Sequence, residues 1–313
     1  VFNEGVNYGP FRFACELFAT YLFRGMGYDN VFEKQQHYAL YGMFYRRRPD
    51  GRLFNTGDNS FEGNYGFAQD SAQAYFMAGN FYKDPLLKRD YYRKVKDGTS
   101  ASSDASGVNC VLHLIMNDTS VPVNASYEQL PLTTYSNDIL GTMLARTSWE
   151  EGKGSDAVAV QMNTHGYFYG GHSHADAGHF DIYYKGNLAL DSGVYEGTPF
   201  IDQAGNYVGS NIGHGGKHYR AYSSQSIAHN TMLVDDPSEE YYDVYNKITY
   251  NSKGQKEAAA TGTNYENLEE YKIGTVQGWD YGPDLRKPAY SYLRGDIAGA
   301  YSDKVTDYTR SFM

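Results

Sequence analysis

The sequence predicts an α+β chain in two parts, a helical domain over residues 1–126 and an antiparallel β-domain over residues 127–313. Three observations carry this. Apolar residues recur at helical spacing up to about residue 118. Beyond about residue 127 the pattern changes to strand-type alternation and short apolar runs. Nowhere do strands and helices alternate in the βαβ manner that builds a parallel sheet.

In the first part, Phe11, Ala14, Cys15, Phe18 and Leu22 fall on one apolar face, closed by Gly25 and Gly27. Asn30 with Glu33 reads as a helix N-cap and its N3 partner, opening a second helix to about Tyr45. Residues 66–80 and 107–116 read as further helices, and Asp97–Gly107 as a loop. In the second part, Ala157–Met162 is a short apolar strand. Phe180, Ile182 and Tyr184 alternate with Asp181 and Tyr183, Lys185-Gly186-Asn187 supplies a turn, and Leu188–Asp191 returns. Thr231–Val234 reads as another strand, and the chain ends at Ser311-Phe312-Met313 inside what reads as a strand.

Composition narrows the function classes. The 313 residues carry 27 Lys+Arg against 37 Asp+Glu, a net charge of −10, which argues against a broad nucleic-acid surface. No apolar run approaches the roughly 18 residues of a membrane span. The 32 tyrosines suit a set facing polar, ring-shaped ligands, since each ring offers an apolar face and a hydroxyl, and equally a plain tyrosine-rich β-surface. Cys15 and Cys110 sit in apolar patterns and read as buried thiols rather than a disulfide framework. The chain opens at Val1 with no signal-peptide pattern, which suggests a piece of a longer secreted or periplasmic protein.

Three of the nine histidines lie within Gly170-Gly171-His172-Ser173-His174-Ala175-Asp176-Ala177-Gly178-His179. Two glycines let the backbone turn tightly. A His-x-His pair in an extended segment points its rings to opposite sides, so one ring can serve a metal and the other a substrate. The hairpin 179–191 carries Asp191 back toward His174, and His229 precedes the Thr231–Val234 run. Two imidazoles and a carboxylate suit zinc, while a hydrogen-bonded His–Asp pair without metal is the plainer alternative.

The run GGHSHADAGHFDIYYKGNLALDSGVY (170–195), followed by AHNTMLVDD (228–236), resembles the heparinase II/III superfamily of polysaccharide lyases. Asn3-Glu4-Gly5-Val6-Asn7-Tyr8-Gly9 is similar to the family's Glu-Gly-x-x-Tyr segment, and Leu53-Phe54-Asn55-Thr56-Gly57-Asp58 to a further family-type loop. The resemblance implies the last helices of an incomplete α/α toroid followed by layered antiparallel β-sheets. It also implies a mainly structural zinc on His174, Asp191 and His229, with His172 and Tyr8 as catalytic residues. Tyr195, Tyr219, Arg220 and Glu4 become candidates for substrate contact. A polar residue that neutralises the substrate carboxylate is expected on an earlier toroid helix. The implied partner is an anionic, uronic-acid-containing polysaccharide, and a homodimer is compatible with this reading.

Such an enzyme cleaves the bond to O4 of a uronic acid by β-elimination, which needs a damped carboxylate charge, a base for the C5 proton and an acid for O4. Histidine can take either role and tyrosine suits the acid. Arg46-Arg47-Arg48, Arg52, Lys217 and Arg220 are candidates for sulfate or carboxylate contact, although a helix C-terminus equally explains the arginine triplet. His37 and His113 read as packing or capping residues. Two other classes compete. His172-x-His174-x-Asp176 resembles the metallo-β-lactamase motif of zinc hydrolases, but Ala177 stands where that motif wants histidine. The other is a non-catalytic carbohydrate-binding β-protein whose zinc only staples a loop.

Overall fold

A computed structural model describes residues 5–29, 36–58, 68–96, 110–168, 170–194, 218–243, 248–256 and 268–313. The chain forms two compact units. One spans Val6–Phe44 and Asn64–Leu130, the other Tyr45–Gly63 and Pro131–Met313.

The first unit is helical. It contains α1 (Gly5–Gly25), a 3₁₀ turn at Gln36–Leu40 leading into α2 (Tyr41–Arg46, whose last two residues count with the second unit), α3 (Ala68–Phe81), α4 (Pro85–Lys96) and α5 (Cys110–Met116). In α1 the buried residues include Val6, Phe13, Ala14, Leu17 and Thr20, while Cys15 is exposed and Leu22 is half exposed. The expected face is therefore rotated, and Cys15 is not a buried thiol. The helix is apolar on several sides, so its sequence fits more than one 3.6-residue stripe. The second expected helix is divided into the 3₁₀ turn and α2, and its proposed cap at Asn30 and Glu33 lies outside the described residues, as does the Asp97–Gly107 loop.

Helix α4 was not apparent from apolar spacing, yet its start is well specified. The Asp84 carboxylate accepts from the Leu86 and Leu87 amides at 2.9 and 3.1 Å, and Pro85 takes the first helical position. Close packing of α3 on α4 needs Gly79, where a Cβ would lie 2.7 Å from the Lys88 nitrogen. His37 stacks on Tyr82 at 4.4 Å and His113 on Phe76 at 4.9 Å, so both act as packing residues.

The second unit is a stack of antiparallel sheets. A five-stranded meander runs β1 (Thr133–Tyr135), β2 (Thr142–Arg146), β3 (Ala159–Asn163), β4 (Phe180–Tyr183) and β5 (Asn187–Ala189) in chain order. A two-stranded ribbon pairs β6 (Tyr241–Asp243) with β7 (Ile248–Tyr250), and a three-stranded sheet orders β10 (Thr309–Phe312), β9 (Tyr290–Asp296) and β8 (Thr275–Gly282). Met143 of β2 and Met162 of β3 pack on Leu293 of β9, joining the meander to the three-stranded sheet. From the segment before the strands, Phe54 packs with Ala159 and Tyr183.

The β4–β5 hairpin matches the sequence expectation, with Lys185 in the left-handed region at φ 56° inside its turn. Thr231–Val234 is not a strand. Its residues are used singly instead: the Thr231 hydroxyl donates to the Ala177 carbonyl, and Val234 packs on a cluster around Ile297 and Tyr301. A four-residue apolar run is too short to specify a ladder by itself.

Tyr75, Tyr91, Tyr219 and Tyr301 are fully buried, so many tyrosines are core residues rather than a ligand-facing set. Among charged side chains, Glu239 pairs with Lys304 and also accepts from Tyr241 and Ser302. Burial alone would raise its carboxyl, but these partners hold it below the usual value. A depressed carboxyl stabilises the fold above its unfolded pKa, and that contribution disappears as pH falls through the folded one. Glu239→Gln is expected to cost about 1–2 kcal/mol at neutral pH, intermediate between exposed and buried pairs. Denaturant melts at pH 7 and pH 3 check this: the deficit should shrink at the lower pH, and an equal deficit at both would refute the assignment.

Candidate functional site

The site belongs to the second unit and begins with alternation on β3 and β4. Val160 and Met162 face the three-stranded sheet, which turns Ala159, Gln161 and Asn163 to the other side. There Gln161 stands opposite Asp181 in the β3–β4 register, and both are buried. The Asp181 carboxylate accepts from Gln161 Nε2 at 3.1 Å, from His179 Nε2 at 3.0 Å and from the Asp191 amide at 2.8 Å. His179 Nδ1 accepts from the Asn230 amide at 3.0 Å, so its Nε2 carries the hydrogen that faces Asp181. The Asn230 side chain in turn donates to the Phe180 and Leu190 carbonyls at 2.8 and 3.1 Å. This chain of bonds fixes the start and end of the β4–β5 hairpin, and with it Asp191.

Ahead of the hairpin, Gly170 and Gly171 adopt φ of 69° and 65° and start the histidine loop. Neighbouring side chains tie that loop down. Gln255 accepts from the Ala177 amide at 2.9 Å and donates to its carbonyl at 2.7 Å. Ser226 donates to the Ala175 carbonyl at 2.8 Å, and the Ala175 amide donates to the Ser224 carbonyl at 2.9 Å. His229 follows the short turn Ser226–Ala228.

His174, Asp191 and His229 meet here, all buried, with one ligand-type atom from each lying within 4.8 Å of the others. Unpartnered buried atoms point to what the group can do. His174 Nδ1, Asp191 Oδ2 and both ring nitrogens of His229 make no hydrogen bond. His229 Nδ1 is 3.0 Å from Asp191 Oδ1, close enough for an ion pair but not aligned as a hydrogen bond. Leaving such atoms without a partner in the interior costs about 1–3 kcal/mol each, and a divalent cation bound by imidazole and carboxylate would satisfy one atom of each residue together. Burial pushes the Asp191 carboxyl up, but His229, His179 and His174 more than reverse this and hold it at about 2. Burial likewise lowers His174, and its contact with Asp58 and the nearby Asp191 and Asp176 charges outweigh it, leaving the imidazole raised.

Asp58 gives the centre a second layer. It is buried, and each carboxylate oxygen takes a different histidine: Oδ2 meets His172 Nδ1 at 2.5 Å and Oδ1 meets His174 Nε2 at 2.9 Å. The two rings of the His-x-His pair therefore converge on one carboxylate. The expectation of rings on opposite sides assumed an extended segment, whereas this one is turns and coil.

Residues 153–286 match the family model described as heparinase II/III-like, C-terminal. This part of the chain belongs to the heparinase II/III-like family. The chain's fold is similar to that of a solved heparinase III, with a TM-score of 0.52 and 12% identity over 97% of this chain and 36% of that one. A heparan sulfate lyase HepC structure from Pedobacter heparinus gives a TM-score of 0.49 and 13% identity, over 99% and 36% of the two chains. The likeness is one of fold, and the chain spans about a third of the length of these proteins. No curated protein matches it.

The heparinase II/III-like region supplies His172, His174, Asp191 and His229, whereas Asp58 comes from before it in sequence. Tyr219 is buried edge-on against His174 at 5.8 Å, and Arg220 lies over the Tyr219 ring at 5.6 Å. Tyr195 and Glu4 lie outside the described residues, as does Lys217, and Tyr8 falls in α1 with its side chain likewise outside them. The arginine triplet is committed internally rather than to a ligand. Arg46 donates to Gln161, Arg47 lies 3.8 Å from Glu151, and Arg48 bonds Asp50 and Asn187. The hydrolase-type reading needs Asp176 at the metal group, but its carboxylate sits 3.5 Å from His165 instead. Sequence reasoning missed Asp58, Asp181 and Gln255, although Asp58 closes a loop already noted for its family likeness.

Gly193 shows how tight the centre is. A Cβ there would lie 2.3 Å from the Ser223 carbonyl, 2.7 Å from His229 Cε1 and 3.0 Å from Asp191 Oδ1. Gly193→Ala is expected to cost about 1–3 kcal/mol as an overpacking change and to weaken metal affinity by displacing two ligands. Thermal melts with a zinc–chelator competition check it, and wild-type values in both would count against the geometry.

Proposed function

We propose that the full-length protein is a polysaccharide lyase that cleaves a uronic-acid-containing chain by β-elimination, with heparan-type glycosaminoglycans favoured as substrate. The observation that carries this reading is His172, whose side chain is 19% exposed and whose Nδ1 is held by Asp58 beside the buried His/Asp/His group. An ionised carboxylate only accepts, so Nδ1 bears the hydrogen and Nε2 offers its lone pair as a base. In this reading residues 1–126 are the end of an α/α toroid and residues 127–313 its β-domain, and the protein works outside the cytoplasm.

Nε2 of His172 takes the C5 proton. The electron pair of that C–H bond forms the C4–C5 double bond, the C4–O4 bond breaks, and its pair leaves on O4. Tyr8 supplies the proton that O4 requires, the role implied by its Glu-Gly-x-x-Tyr-type segment. Tyr195, Arg220 and Glu4 are proposed substrate contacts, whereas Tyr219, fully buried against His174, supports the site from behind. His174, Asp191 and His229 would hold zinc, which supplies there a fixed positive charge and a tether for the histidine loop. A panel of heparan, chondroitin and alginate polymers, read for ultraviolet-absorbing unsaturated uronate, tests the reading. At least one polymer should yield it, and none doing so would overturn the lyase assignment.

A further inference from the structure

We infer that Asp58 is a positioning residue that couples the metal-binding group to His172, setting the tautomers of both histidines with one carboxylate. The inference rests on the lyase reading for the role of His172, but its geometry stands independently. Asp58 is 1% exposed and anchored at its backbone, where its amide donates to the His172 carbonyl at 3.0 Å. One oxygen faces His172 Nδ1 and the other His174 Nε2. Because a carboxylate accepts at both oxygens, both rings must present N–H toward it. His174 then has its lone pair on Nδ1, the buried nitrogen with no partner, which is the nitrogen a metal would take. This is the carboxylate–histidine–metal arrangement in which the outer carboxylate orients the ligand ring. His172 has its lone pair on Nε2 for the same reason. Any shift of His174 on metal binding thus passes through a single rigid group to the ring two residues away.

Asp58→Asn separates this role from mere packing, because it preserves shape while leaving one oxygen to accept and placing an NH₂ where the other oxygen stood. One histidine must give up its tautomer. Removing such an outer carboxylate typically lowers metal affinity or activity 10- to 100-fold. The test uses the full-length protein with Zn²⁺ as probe. Expected are a zinc affinity lowered by about that factor in chelator competition, an altered tautomer pattern in ¹⁵N-histidine spectra, and a fall in kcat with KM nearly unchanged. Wild-type zinc affinity together with unchanged histidine spectra in folded Asp58→Asn would overturn the inference. Should that variant not fold, the wild type answers the question: titrating Zn²⁺ into chelator-treated protein should shift the His172 ring resonances along with those of His174. A His172 signal indifferent to zinc would overturn it. Absence of lyase activity in the wild type bears on the proposed function alone, since the affinity and spectra require no substrate.

Discussion

Zinc added to the metal-free full-length protein is expected to raise the melting temperature of the β-rich unit by roughly 8–16 °C when its concentration is a thousandfold above Kd. The estimate follows from about 4 kcal/mol of mass-action stabilisation at that ratio and about 2–4 °C per kcal/mol for a domain of this size. The physical source is the set of unpartnered buried atoms on His174, Asp191 and His229, which are costly while unmatched. Calorimetry with and without chelator measures the shift. Asp191→Ala should abolish the response, because it removes the only carboxylate of the three. A melting temperature unaffected by both zinc and chelator would mean that these residues do not form a metal centre.

His172→Ala is expected to lower kcat by about 10²–10⁴, the range associated with loss of a positioned acid or base. The same change should leave the zinc-induced melting shift largely in place, because His172 is not one of the three residues that converge on the metal position. Steady-state production of unsaturated uronate, paired with the calorimetric response, distinguishes a catalytic from a structural role. A variant that keeps full turnover would remove His172 from the mechanism. One that loses both turnover and the zinc response would show that its main contribution is to the architecture around Asp58.

How far the site could be read from sequence depended on the kind of information each residue carried. The metal-type trio was legible because His174 and Asp191 are linked by a hairpin with clear alternation, and His229 stands beside a polar residue and an apolar run. Asp58 was not, since 114 positions separate it from His172 and nothing local marks a carboxylate as buried. Asp181 looked like the polar half of a strand pattern, yet it faces a second buried layer, which alternation alone cannot distinguish from solvent. Gln255 replaces a missing neighbouring strand by bonding both backbone groups of Ala177, a substitution that leaves no periodic trace. The start of α4, by contrast, was written plainly in Asp84-Pro85, and its charged surface hid it from a search for apolar stripes.

The second unit draws Tyr45–Gly63 from ahead of α3, and this limits how the protein can be cut or recombined. A fragment beginning at Pro131 keeps every strand of the described residues, yet it gives up Phe54 from the Ala159–Tyr183 cluster, Arg46 from Gln161, and Asp58 from both histidines. A graft of residues 153–286 alone gives up the same three partners and β1, β2, β9 and β10 besides. Modularity in sequence and modularity in space do not coincide in this chain, and an independently folding module with an intact histidine centre has to carry both stretches.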